Sequence, residues 1–72
     1  MRTAETYHKG NWKAEVSVEE LASGKFQGIV SLLREDRPST EQIERRTLDI
    51  SDTFDGALEE AKVLAQHVLG NL

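Results

Sequence analysis

The chain contains no cysteine, one proline and only four aromatic residues (one Trp, one Tyr, two Phe) among its 72 residues. Without cysteine there is no disulfide, no thiolate metal ligand and no thiol nucleophile, so the fold must stand on packing and hydrogen bonds alone. Long apolar runs are missing too. The longest unbroken stretches are a few residues, against the about 20 that a membrane-spanning helix needs. The N-terminal "MRTAETYHKGN" has no apolar segment of the kind a secretory signal carries. The cytoplasm is therefore the expected compartment, with no membrane partner. An excess of positive charge is also absent. The net charge of −4 argues against a general polyanion binder, whose affinity comes mainly from neutralising phosphates with Lys and Arg. There is no glycine-rich phosphate loop, and His8 and His67 have no Cys or His companion at metal-ligand spacing. No cofactor, metal or catalytic residue is expected.

What is present describes one small α+β domain spanning residues 1–72, with residues 1–10 expected to be flexible apart from Tyr7, which could dock on the domain. A chain of this length buries only about 60% of the surface it exposes when unfolded, so its core is marginal. "HKGN" reads as a turn. "NWKAEVSVEE" then alternates, with Trp12, Ala14, Val16 and Val18 on one side and Lys13, Glu15, Ser17 and Glu19 on the other, which predicts a strand with one buried face. "EELASGK" is a loop, with Gly24 expected at positive φ. "KFQGIVSLLRE" is apolar on both faces and is predicted as a central strand. Gly28 within it marks a bulge or a close approach, with Trp12 a candidate neighbour. Pro38 in "DRPST" predicts a turn. The third strand is "QIERRTLDIS", with Leu48 and Ile50 sharing a face with Glu44 and Arg46, and Ile43 out of phase.

From Phe54 onward the period changes. Ala57, Leu58, Ala61, Leu64, Ala65, Val68 and Leu69 fall on one side of a helix, with Val63 roughly opposite. Asp52 or Asp55 is a candidate cap, and Gly70-Asn71 is a natural stop. The alanines along the stripe centre would let the helix approach a sheet closely. The predicted architecture is β-β-β-α: a three-stranded antiparallel sheet with the C-terminal helix packed on one face.

Thr53-Phe54-Asp55 followed by "ALEEAKVLA" resembles the helix start of small uncharacterised bacterial proteins built of three strands plus a helix. The element order and the Phe-then-helix entry also resemble ethylene-response DNA-binding domains and integrase arm-type DNA-binding domains, and "WKAEVSV" and "TFDGALEEA" are similar to the former. Those domains read DNA with the sheet face that the helix leaves open, and the ethylene-response family presents rows of Arg and Trp there. This chain has no such row. The "EEA" segment is similar to HicB-like antitoxins, whose strand-helix order and glycine-proline motif are missing here.

Two functions follow as expectations. The first is a non-catalytic protein-interaction module, a homodimer or the partner of another protein, using apolar residues left over on the open sheet face: Ile29 and Leu33, joined by Ile43. The second, ranked lower, is a nucleic-acid-binding domain using the same face, with Lys13, Arg45 and Arg46 as contacts. The charge split bears on both. Residues 52–72 carry four acidic side chains against Lys62 alone, so the helix side is acidic and the sheet side nearly neutral.

Overall fold

The computed structural model describes residues 3–36 and 42–71. They form four strands and one helix in the order β1 (Thr3–Lys9), β2 (Trp12–Glu20), β3 (Phe26–Arg34), β4 (Gln42–Arg46) and α1 (Phe54–Gly70). The strands make a single antiparallel sheet in sequence order β1-β2-β3-β4. The expectation of three strands is thus corrected to four. The added strand lies in the segment expected to be flexible, and residues 5–9 pair in one register with β2 from Glu5↔Val16 to Lys9↔Trp12, with a shift between Glu5 and the Thr3↔Ser17 pair. Its sequence, TAETYHK, hid it. Tyr7 is its one large apolar residue, so no period-two hydrophobic signal rises above the polar background. Backbone pairing and the Gly10-Asn11 hairpin hold it instead. Gly10 sits at φ 59° while Asn11 keeps an ordinary φ, the combination that suits a two-residue turn between twisted strands.

β2 alternates as predicted: Ala14 and Val16 are buried on the helix side, with Trp12 packed against the same core. β3 is internal, as its two apolar faces suggested. Gly24, in the loop between them, has φ 83° as expected. The turn predicted at Pro38 lies outside the described residues.

The core is one cluster: Ala14 and Val16 from β2, Val30 and Leu32 from β3, and Ala61, Ala65 and Leu69 from α1. Tyr7, Trp12, Leu58, Leu64 and Val68 pack around it. α1 is capped by Thr53, not by either aspartate. Its hydroxyl oxygen accepts from the Gly56 backbone N–H at 3.0 Å and its backbone is extended at φ −126°, the geometry of an N-cap. The helix stops at Gly70, where the Asn71 side chain donates to the His67 carbonyl at 2.8 Å. Lys9 closes the same end by donating to the Leu69 carbonyl at 3.0 Å.

Gly28 is where helix and sheet come closest. It pairs with Val18 without a bulge. A Cβ there would stand 2.6 Å from the Ala61 Cβ and 2.8 Å from the Ala57 carbonyl oxygen. The close neighbour is therefore α1, not Trp12. Trp12 instead sits opposite Arg34, whose guanidinium carbon lies 5.7 Å from the ring centre, within range of cation–π attraction.

The end of the sheet differs most from expectation. β4 stops at Arg46, and Leu48 and Ile50 are exposed rather than in the core. The Thr47 N–H still donates to the Gly28 carbonyl, and Phe26 and Ser51 exchange both backbone bonds. On β3 only Gln27 separates those two anchors; on the returning chain Leu48, Asp49 and Ile50 do. The surplus loops away from the sheet. Gln27 Nε2 donates to the Thr47 carbonyl at 2.9 Å, and the Thr47 hydroxyl donates to the Asp49 carbonyl at 3.1 Å, which fixes the loop's exit.

Candidate functional site: the groove between α1 and β4

The two faces of the sheet follow from register. Ala14, Val16, Val30 and Leu32 point to α1, so Ile43 (opposite Leu32) and Arg45 (opposite Val30) share that side. Lys13, Glu15, Ser17, Glu19, Gln27, Ile29, Leu33, Glu44 and Arg46 lie on the face α1 leaves open.

Ile29, Leu33 and Ile43 therefore do not form one patch. Ile43 is on the opposite face. Ile29 faces the open side yet is only 1% exposed. Its cross-strand neighbours are Ser17 and Arg46. Arg46 Nη1 donates to Glu19 Oε2 at 2.7 Å and to Gln27 Oε1 at 3.3 Å. Arg46 is on β4 and Glu19 on β2, so the bonded pair spans β3, the strand that carries Ile29. Long cationic side chains commonly cover apolar surface in this way. The bond to Glu19 holds the Arg46 guanidinium pKa above its ordinary range, and Glu44 Oε2 lies 3.7 Å from its Nε.

Lys13, Arg45 and Arg46 do not converge either. Lys13 and Arg46 are on the open face, with Arg46 committed to Glu19 and Glu44, while Arg45 points to the helix side.

The helix side holds the larger feature. A helix with its side chains is about 10–12 Å across, and strands repeat every about 4.8 Å, so one helix covers about two strands. α1 lies over β2 and β3 and touches β1 lightly, leaving β4 largely uncovered. The result is a groove of about 500 Å³ between α1 and the end of β4. Leu48, Val63 and Leu64 give it apolar walls, and a second hollow of about 430 Å³ continues it past Leu64 and His67 to Val68 and Asn71. Leu48 is 100% exposed, Val63 66% and Ile43 40%. The charges along this trough are sorted. Asp49, Glu59 and Glu60 line the end nearer the start of α1, where Arg46 also borders the groove but is bonded to Glu19; Arg45 and His67 line the end nearer its C-terminus. Glu60 is anchored by the Ser51 hydroxyl, which donates to it at 3.0 Å.

The opposite margin of α1 is closed. Lys62 Nζ sits 2.8 Å from Glu5 Oε2 on β1 and 3.4 Å from Glu59 Oε1. The bond to Lys62 pulls the Glu5 carboxyl below its ordinary pKa, and the bond to Glu5 pushes the Lys62 ammonium above its own. Tyr7, whose hydroxyl donates to Glu5 at 3.0 Å, is pushed up, first by desolvation and then by that bond. These shifts accompany surface ion pairs. Among the described residues no three His, Cys, Asp or Glu side chains come together as a metal site. No helix among them is long and apolar enough to cross a membrane.

Val63 was visible in the sequence as an apolar residue off the helix stripe. The groove beside it was not, because its other wall depends on β4 ending at Arg46 and on a fourth strand widening the sheet beyond one helix.

No family model matches this chain, and no curated protein or solved structure matches it.

Proposed function

We propose that this protein is a small, non-catalytic interaction module that self-associates through the groove between α1 and β4. The observation that carries this reading is the uncovered β4 side of the helix face, walled by Leu48 and Val63. Single exposed apolar residues are ordinary. Several gathered around one trough mark a contact surface.

The occupant is a second copy of the chain. The trough holds three carboxylates at one end, where the bordering Arg46 is already paired with Glu19, and Arg45 and His67 at the other. A two-fold arrangement that reverses its direction sets each end against its opposite, which is what a self-complementary interface requires. A standard interface takes about 800 Å² from each partner. That is roughly a sixth of this chain's 4666 Å² surface, and the added burial would help a core near the lower size limit.

Sedimentation over a micromolar to millimolar range tests the proposal. The wild-type chain is expected to shift from monomer to dimer across that range. Leu48→Asp, which sets a carboxylate on the apolar wall without touching the core, is expected to stay monomeric. A wild-type chain that remains monomeric at millimolar concentration sinks the reading.

A further inference from the structure

We infer that the two copies meet with their α1 helices antiparallel and the two-fold axis at Val63; this rests on the self-association proposed above. Glu59, Val63 and His67 follow one another at four-residue spacing on α1. All three are exposed and all three line the groove. Four residues rise about 6 Å along a helix, so Glu59 and His67 stand at equal distances on either side of Val63. A two-fold axis perpendicular to the helix at Val63 exchanges them. Each Glu59, which keeps Lys62 of its own chain at 3.4 Å, then faces the partner's His67, and Val63 meets its own counterpart.

An imidazole can donate a hydrogen bond to a carboxylate in either protonation state, given the right tautomer. The far wall follows the same order, with Asp49 toward the Glu59 end, where Arg46 is taken up by Glu19 and Glu44, and Arg45 toward the His67 end. The same rotation therefore brings Arg45 toward the partner's acidic end. A parallel arrangement does the reverse: it stacks Glu59 on Glu59 and Arg45 on Arg45, and like charges at a contact disfavour association. Antiparallel helices also oppose their dipoles rather than align them.

Two measurements on the full chain decide the orientation. The chain has no cysteine, so Val63→Cys carries the only thiol. Under mild oxidation it is expected to form a disulfide-linked dimer rapidly. Glu59→Cys is the control: its two copies would stand about 12 Å apart along the helices, beyond the about 4.4–6.8 Å Cα separation that a disulfide spans. The second measurement is a charge exchange. Glu59→Lys and His67→Glu should each weaken the dimer about tenfold, and the double variant, which restores unlike pairs across the axis, should recover most of the loss.

Suppose the wild type dimerises but Val63→Cys cross-links no faster than Glu59→Cys, or the double variant stays as weak as the single ones. The antiparallel arrangement is then wrong while the groove remains the interface. A monomeric wild type removes both proposals together.

Discussion

The two halves of the sheet's helix side are built on opposite principles. Over β2 and β3, contact is made by the smallest residues available. Ala57, Ala61 and Ala65 are essentially inaccessible, and Gly28 opposes them with no side chain at all. Over β4 the large residues are the exposed ones, Ile43 on the strand and Leu48 just beyond it. Burial on this face follows proximity to α1 rather than hydrophobicity. Small side chains allow the helix to descend onto two strands, and a helix seated that low cannot also reach a fourth. The close seat and the open groove are therefore one geometric outcome. The margins repeat the contrast: toward β1 the helix is sealed by Lys62 and Glu5, whereas toward β4 no comparable bridge from α1 is seen among the described residues.

The comparison breaks hardest at Gly28. Gly28→Ala forces a Cβ into the 2.6 Å gap before Ala61, and either α1 or β3 must move. Overpacking of a core costs about 1–3 kcal/mol; a loss of that order in urea unfolding is expected, and an unchanged midpoint would show that the helix yields freely at this contact.

A smaller effect is expected at the β1 margin. The folded-state pKa of Glu5 is depressed, so its contribution to stability is fully present above the ordinary carboxylate range, about 4.3 for a free Glu, and is lost as pH falls through the depressed value. The raised pKa of Lys62 works at the other extreme. Its contribution is complete below the ordinary lysine range and is lost as pH rises through the elevated value. Glu5→Gln should therefore flatten the stability profile on its acid side. Chemical denaturation at pH 7 and pH 3 checks this: an acid-side loss as steep in the variant as in the wild type would show that the pair contributes nothing.

The smallest effect belongs to the open half. Leu48→Ser, measured at concentrations where the chain is monomeric, should leave stability within about 0.5 kcal/mol, as for surface changes generally. A larger loss would mean that Leu48 packs within its own chain.

These contrasts explain what the sequence could reveal. The amphipathic stripe of α1, the alternation of β2 and the two-sided character of β3 were legible because each places apolar residues at a fixed period. β1 was not, since Glu5 and Lys9 share a face with Tyr7 and are satisfied by Lys62 and the Leu69 carbonyl instead of by burial. The segment after β4 misled for the opposite reason. Leu48 and Ile50 alternate like strand residues, but whether alternation means burial depends on whether the chain stays in the ladder. Here the ladder is resumed at Ser51, four residues after Thr47 has been pinned by Gln27. Periodicity reports the face a residue would occupy in a strand and is silent about chain that leaves the sheet. The groove combines both blind spots: an unseen strand made the sheet wider than one helix, and a misread strand hid its outer wall.

The seat of α1 also governs the order in which the molecule can mature. The helix follows every strand it covers, and a chain emerging from the ribosome presents Ala14, Val16, Val30 and Leu32 with nothing above them until the α1 segment is free. Productive folding therefore waits for that segment. A product arrested before Thr53 would carry a naked sheet, a natural substrate for chaperones and proteases.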